Sequence, residues 1–185
     1  MEALAGSAEL KLDTDEASHR ITGAGFEAVV GRKSGALETF RAYGRDLLTG
    51  PLVPGFWKAP TDNSTRTGIT SLQSAWRDAA SKRSVEQVTA RRVSPREVEV
   101  TARMHLPIGS SVYTAAYRVF SDGRIRVSAL YQPGGDRLPP IPRFGMDAAV
   151  PASLDRIEWY GRGPQETYWD RKTGGEIGNH RLRLE

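Results

Sequence analysis

Between residues 97 and 130, apolar and polar side chains alternate with period two, and that pattern decides the fold class. Val98, Val100, Ala102 and Met104 alternate with Glu97, Glu99, Thr101 and Arg103. Successive side chains of an extended chain point to opposite faces, so one set enters a core and the other meets water. Val112 to Phe120 predicts a second strand, Ser121-Asp122-Gly123 a hairpin turn, and Arg124 to Leu130 the returning strand. Ile125, Val127 and Ala129 form the inward face of that return.

The same grammar runs through the rest of the chain. Phe26 to Val30 predicts a strand, Lys33-Ser34-Gly35 a turn, and Ala36 to Ala42 a return with Leu37 and Phe40 inward. Tyr43-Gly44-Arg45-Asp46 is a further turn. Residues 143–160 resume a strand pattern after the proline- and glycine-rich stretch from Pro133 to Pro142. One short helix is expected, capped by Ser71, with Leu72, Ala75, Trp76 and Ala79 at helical spacing. Many short strands divided by turns indicate an all-β antiparallel sandwich or barrel. The length of 185 residues suits one domain, 1–185.

Charge and composition narrow the function classes. Lys and Arg number 26 against 22 Asp and Glu, but they are scattered in doublets such as Arg91-Arg92. A nucleic-acid surface shows a clustered basic stripe instead, so no nucleic-acid partner is expected. The sequence has no cysteine, which excludes disulfides, thiolate zinc sites and thiol nucleophiles. No apolar run approaches the roughly 20 residues of a membrane helix, and the N-terminus is too polar for a signal peptide. The expected setting is therefore cytoplasmic, away from a membrane.

Catalytic constellations are scarce. His19, His105 and His180 lie far apart in sequence, with no metal-ligand spacing. Gly161-x-Gly163 leads into Pro164, which removes a backbone amide that a phosphate loop needs. A glycosidase needs two carboxyl groups flanking the scissile bond, and no pair stands out by context. Glu166 and Asp170 come nearest, but a structural ion pair with Arg171 is the default for such a group. No catalytic residue is assigned.

Two segments are unlike ordinary sheet. Pro54-Gly55-Phe56-Trp57-Lys58-Ala59-Pro60-Thr61-Asp62-Asn63 places aromatics between prolines and ends in an Asp-Asn pair. It reads as a packed corner or as a sugar-facing rim, with composition favouring the corner. Trp159 to Gly174 crowds aromatic and charged residues into one stretch, as a self-packed loop or an interface would.

These two segments carry a resemblance. Phe56-Trp57-Lys58-Ala59-Pro60-Thr61-Asp62-Asn63 resembles the F-W/R-R-A-P-x-D-N motif of the β-galactosidase small-chain domain. Gly161-Arg162-Gly163-Pro164-Gln165-Glu166-Thr167-Tyr168-Trp169-Asp170-Arg171 resembles its G-x-G-P-x-E-x-Y-x-D-R motif. Pro142-Arg143-Phe144-Gly145, Ile21 to Phe26 and Gly35-Ala36-Leu37 fit the same order. Ser64 departs from the family, where an acidic residue often follows the Asp-Asn pair.

The resemblance implies a galactose-mutarotase-like supersandwich, all-β and antiparallel, and a partial small-chain domain truncated at its C-terminal end. It implies a parent enzyme that hydrolyses terminal β-D-galactosides with retention, its catalytic glutamates lying in a barrel domain outside this sequence. The expected partners are the remaining domains of that parent, a galactoside, and a second copy through an exposed edge. No cofactor is expected in this chain, while the parent's magnesium or sodium would bind elsewhere. Asp62, Asn63, Ser64, Thr65, Arg66, Thr67 and Gly68 correspond to a mobile loop near the substrate. Trp57, Pro60, Gly163, Pro164, Glu166, Tyr168, Asp170 and Arg171 correspond to architectural positions. Two other readings stand beside this one: a free-standing carbohydrate-binding module, and a sugar mutarotase or epimerase, which needs a positioned histidine and carboxylate.

Overall fold

The computed structural model describes residues 8–168 and 171–184. Thirteen strands occur among them, and the chain forms two compact units, one ending at Ala149 and one beginning at Val150. No helix among the described residues is long and apolar enough to cross a membrane.

The first unit is an antiparallel sandwich. Its larger sheet holds β1 (Lys11–Thr14), β2 (Ser18–Gly23), β3 (Phe26–Gly31), β4 (Leu37–Ala42), β6 (Gly50–Gly55) and β11 (Gly145–Ala149), in that order. The two-residue β5 (Arg45–Asp46) pairs with β4. The second sheet runs β10 (Ile125–Gln132), β9 (Val112–Phe120), β8 (Glu97–His105) and β7 (Ser84–Ser94).

The alternation in β8 and β9 does what period two requires. Val98, Val100, Ala102 and Met104 are fully buried, as are Tyr113, Ala115, Tyr117 and Val119. They meet Ile21, Phe26, Ala28, Val30 and Leu37 of the other sheet in one core. β10 ends its sheet, so its inward residues are less covered: Ile125 and Val127 are half-buried, and Ala129 is exposed, contrary to its expected burial. Phe40 is likewise only half-buried, though packed against the core.

The turns follow from backbone chemistry. Gly35 sits at φ 63°, a region that costs other residues a Cβ clash. Tyr43 and Gly44 both take positive φ between β4 and β5, as a tight two-residue hairpin turn demands.

The helical segment departs from expectation. It begins at Asp62, not after Ser71, because Thr61 already caps it: the Thr61 Oγ1 accepts from the Ser64 amide at 3.4 Å. It comes as α1 (Asp62–Arg66), α2 (Ile69–Gln73) and a short 3-10 turn (Ser74–Trp76), broken at the left-handed Gly68. Trp76 and Ala79 are buried as the spacing predicts, while Leu72 and Ala75 face solvent.

The second unit is a two-stranded ribbon. β12 (Arg156–Gly163) pairs with β13 (Glu176–Arg183) in unbroken register. Ile157, Trp159, His180 and Leu182 share one face, and Glu158, Tyr160, Asn179 and Arg181 share the other.

Candidate functional site

The site is built from the segment that leaves β6 and crosses to β7. Its first residue anchors it. Phe56 is buried, with its ring 5.2 Å from Trp76, 5.7 Å from Tyr113 and 6.1 Å from Phe144. Trp76 in turn donates its indole N–H to Pro139 O at 2.9 Å. The packed-corner reading therefore describes Phe56 and Trp76.

Trp57 is different. It is half-buried, and the Arg77 guanidinium lies over its ring at 4.7 Å. That cation–π contact occupies one ring face. Pro60 follows in an exposed position that leads to the Thr61 cap.

Asp62, Asn63, Thr65, Arg66, Thr67 and Gly68 are all exposed, and Ser64 is half-buried. Asp62 to Arg66 form the short helix α1, with Thr67 and Gly68 just after it, where the resemblance implied a loop. Several of their hydroxyls are turned onto the backbone. The Thr65 hydroxyl donates to Thr61 O at 3.2 Å, and that of Thr67 to Asn63 O at 2.8 Å. The Ser64 hydroxyl meets the Thr61 hydroxyl at 2.9 Å. The Asp62 carboxylate and the Asn63 amide remain exposed, groups suited to hydrogen-bond a sugar hydroxyl. Asp62 is the single carboxylate between residues 57 and 70. This segment alone cannot supply the acid and nucleophile of a glycosidase.

Sequence reasoning missed the support beneath this corner. A Cβ at Gly55 would come 2.3 Å from Asp147 Oδ2, so the Asp147 side chain lies directly over the glycine. Arg143 pairs with Asp147 at 2.7 Å and donates to Met146 O at 3.2 Å. Gly55 pairs with Gly145 and Val53 with Asp147 across β6 and β11, a register that the linear sequence does not show.

The architectural positions of the second motif lie in the ribbon unit. A Cβ at Gly163 would come 2.9 Å from both the Trp159 and His180 rings, so only glycine fits without displacement. Trp159 stacks on His180 at 5.2 Å and donates to Arg162 O at 3.0 Å. Arg162 donates to Lys172 O and Gly175 O, both at 2.8 Å, and so gathers the connection between the strands. The Gly163–Pro164 peptide is cis. Glu166 and Tyr168 are exposed, and the Arg171 amide donates to Tyr168 O at 2.8 Å. Asp170 lies outside the described residues, so its expected ion pair with Arg171 is not placed.

The histidines serve the sheets. His19 is buried, with Nδ1 2.9 Å from Thr14 Oγ1. His105 lies 2.9 Å from Glu86, which also accepts from Arg103 at 2.7 Å. Cross-strand register between β7 and β8 makes that pairing, which linear spacing does not show. All three groups are substantially exposed on a sheet surface. Among the described residues, no three His, Asp or Glu side chains gather as a metal-ligand set.

The chain matches the family described as beta galactosidase small chain over residues 22–185, through both compact units. It is 31% identical over 174 residues to a β-galactosidase of Priestia megaterium, covering 93% of this chain and 16% of that protein. It is 30% identical over 179 residues to a β-galactosidase of Halalkalibacterium halodurans, covering 95% of this chain and 18% of that protein. A β-galactosidase of Vibrio cholerae is 30% identical over 177 residues, covering 90% and 17%. The chain thus spans about a sixth of the length of these curated relatives. The motifs, the antiparallel sandwich and the extent of the match together establish that this chain belongs to the β-galactosidase small-chain family.

Proposed function

We propose that this chain is a non-catalytic domain of a retaining β-galactosidase acting on terminal β-D-galactosides. It shapes the rim of the active site and takes part in subunit assembly. The observation that carries this reading is the lopsided match. Nearly the whole chain aligns, but with only 16% of the Priestia megaterium β-galactosidase. The bulk of that enzyme lies outside the aligned segment. Both compact units belong, on this reading, to one small-chain domain that works with the parent's other domains.

The rim role falls to Asp62 and Asn63 on α1, with Ser64 to Gly68 as the segment that presents them. Their exposure and the rigid Phe56–Trp76 base beneath favour that assignment. A role in assembly is supported by β10 and β11, each the outermost strand of its sheet among the described residues, and by exposed Leu130 on β10. A galactoside is the ligand, and any magnesium or sodium is held by the parent's other domains.

Turnover of a chromogenic β-galactoside by the purified chain tests the non-catalytic reading. Release at the uncatalysed rate is expected, and turnover above it overturns the reading. Light scattering on the same sample tests assembly: a clean monomer at all concentrations counts against the edge contact.

A further inference from the structure

The ribbon unit carries a depression that the rim reading does not use. Its volume is about 410 Å³, and it is lined by Glu158, Trp159 and Tyr160 of β12 and by Asn179, His180 and Arg181 of β13. These six residues are three successive cross-strand pairs: Glu158 with Arg181, Trp159 with His180, and Tyr160 with Asn179. A volume of that order falls within the roughly 300–1,000 Å³ of small-molecule sites.

The three pairs differ in what they leave available. Trp159 and His180 are held in place. Their rings lie 5.2 Å apart, the indole N–H donates to Arg162 O at 3.0 Å, and His180 Nε2 lies 3.2 Å from Glu176 O. Glu158, Tyr160, Asn179 and Arg181 project to the opposite face of the ribbon, and all four are exposed. Arg181 Nε lies 3.2 Å from Glu158 Oε1, which leaves further guanidinium donors and a second carboxylate oxygen. Tyr160 is 76% exposed, and among the described residues neither its hydroxyl nor the Asn179 amide has a hydrogen-bond partner.

That set selects a ligand class. Glu158 and Arg181 cancel, so these four residues carry no net charge to attract a phosphate or an acidic chain. An exposed aromatic ring, an amide that both donates and accepts, and a carboxylate beside a guanidinium suit a neutral ligand with an apolar C–H face and several hydroxyls. A pyranoside has both. Opposed residues on paired strands stand about 4.5–5.5 Å apart, so Tyr160 and Asn179 can engage one sugar ring together.

We propose that Glu158, Tyr160, Asn179 and Arg181 form a carbohydrate-binding site for a neutral pyranoside. The Tyr160 ring lies against the C–H face of the sugar, and the Asn179 amide takes its hydroxyls. The site lies wholly within the ribbon, shares no residue with the Asp62–Asn63 rim, and stands whether or not the rim reading holds.

The test is a titration of the full purified chain, labelled with nitrogen-15, with lactose, read by amide NMR. Saturable shifts at Tyr160 and Asn179 are expected, with affinity lowered about tenfold in Asn179→Ala, the worth of one hydrogen bond. Asn179 is exposed, so that variant should keep its fold. Tyr160→Ala provides the second variant and should weaken binding as well. Inorganic phosphate is expected to leave these amides unmoved, and equal shifts with it would overturn the assignment to a neutral sugar. Shifts confined to Asp62–Gly68 would support the rim and overturn the ribbon site. No saturable shift, or parental affinity in both variants, overturns it too.

Discussion

The Tyr117 hydroxyl donates to the Gly35 carbonyl at 3.1 Å, across the core from β9 to the turn between β3 and β4. Tyr117 is fully buried, and Arg83 holds the adjacent Ser34 carbonyl at 2.8 Å. One turn of the larger sheet is thus latched by Tyr117 of the smaller sheet and by Arg83, the residue just before β7. Tyr117→Phe leaves the Gly35 carbonyl buried without that donor. The expected loss is about 1–3 kcal/mol, read as a lower urea midpoint with an unchanged slope. An unchanged midpoint would show that the latch adds nothing.

The two inner tyrosines of β9 also set a pH dependence. Burial pushes both Tyr113 and Tyr117 up to about 12. An unfolded tyrosine ionises near 10, so between about pH 10 and 12 the unfolded state has released protons that the folded state still holds. Stability from this source is complete below about pH 10 and is lost as pH rises toward about 12, by up to about 1.4 kcal/mol per pH unit per tyrosine. Urea midpoints at pH 9, 10 and 11 check it. A flat series across that window contradicts the burial of these hydroxyls.

Gly35 and Gly44 separate crowding from backbone strain. Both take positive φ, at 63° and 70°. A Cβ at Gly35 would come 3.0 Å from Met104 Sδ and 3.2 Å from Ala102 Cβ, whereas one at Gly44 meets nothing within 4 Å. Gly44→Ala is expected to cost about 1–2 kcal/mol from its left-handed backbone alone. Gly35→Ala should cost more, because the core must also give way. Equal losses in paired denaturation curves would remove the crowding argument.

Much of this was legible in the sequence, and the parts that were not share a cause. Val98 to Met104 and Val112 to Phe120 announced their faces because period two is a local property, and the Ser121-Asp122-Gly123 turn marked the pairing of the second with β10. Ala129 was misplaced because its exposure depends on β10 being an edge, a fact of sheet order that no local pattern carries. The Asp62 to Gly68 stretch was expected as a loop from the family resemblance. The Thr61 cap and side-chain bonds to backbone instead wind it into helix. The Arg77–Trp57, Arg143–Asp147 and Glu86–His105 contacts arise from folding and register, and linear motifs do not show them.

At the candidate rim, the expected signature is function without stability. In the assembled enzyme, Asp62→Ala or Asn63→Ala should lower kcat/KM for a β-galactoside about tenfold, the worth of one hydrogen bond to substrate. Both side chains are exposed, so the melting temperature should hold. Loss of melting temperature in step with activity would assign them to the scaffold instead.

The central claim is that this chain works as part of a β-galactosidase while carrying no catalysis itself. The most direct measurement is immunodepletion of source-cell extract with antibodies raised against the purified chain. The captured antigen is expected to hydrolyse a chromogenic β-galactoside, while the purified chain at equal molarity does not. Captured antigen without galactosidase activity, or turnover by the purified chain, would contradict the account.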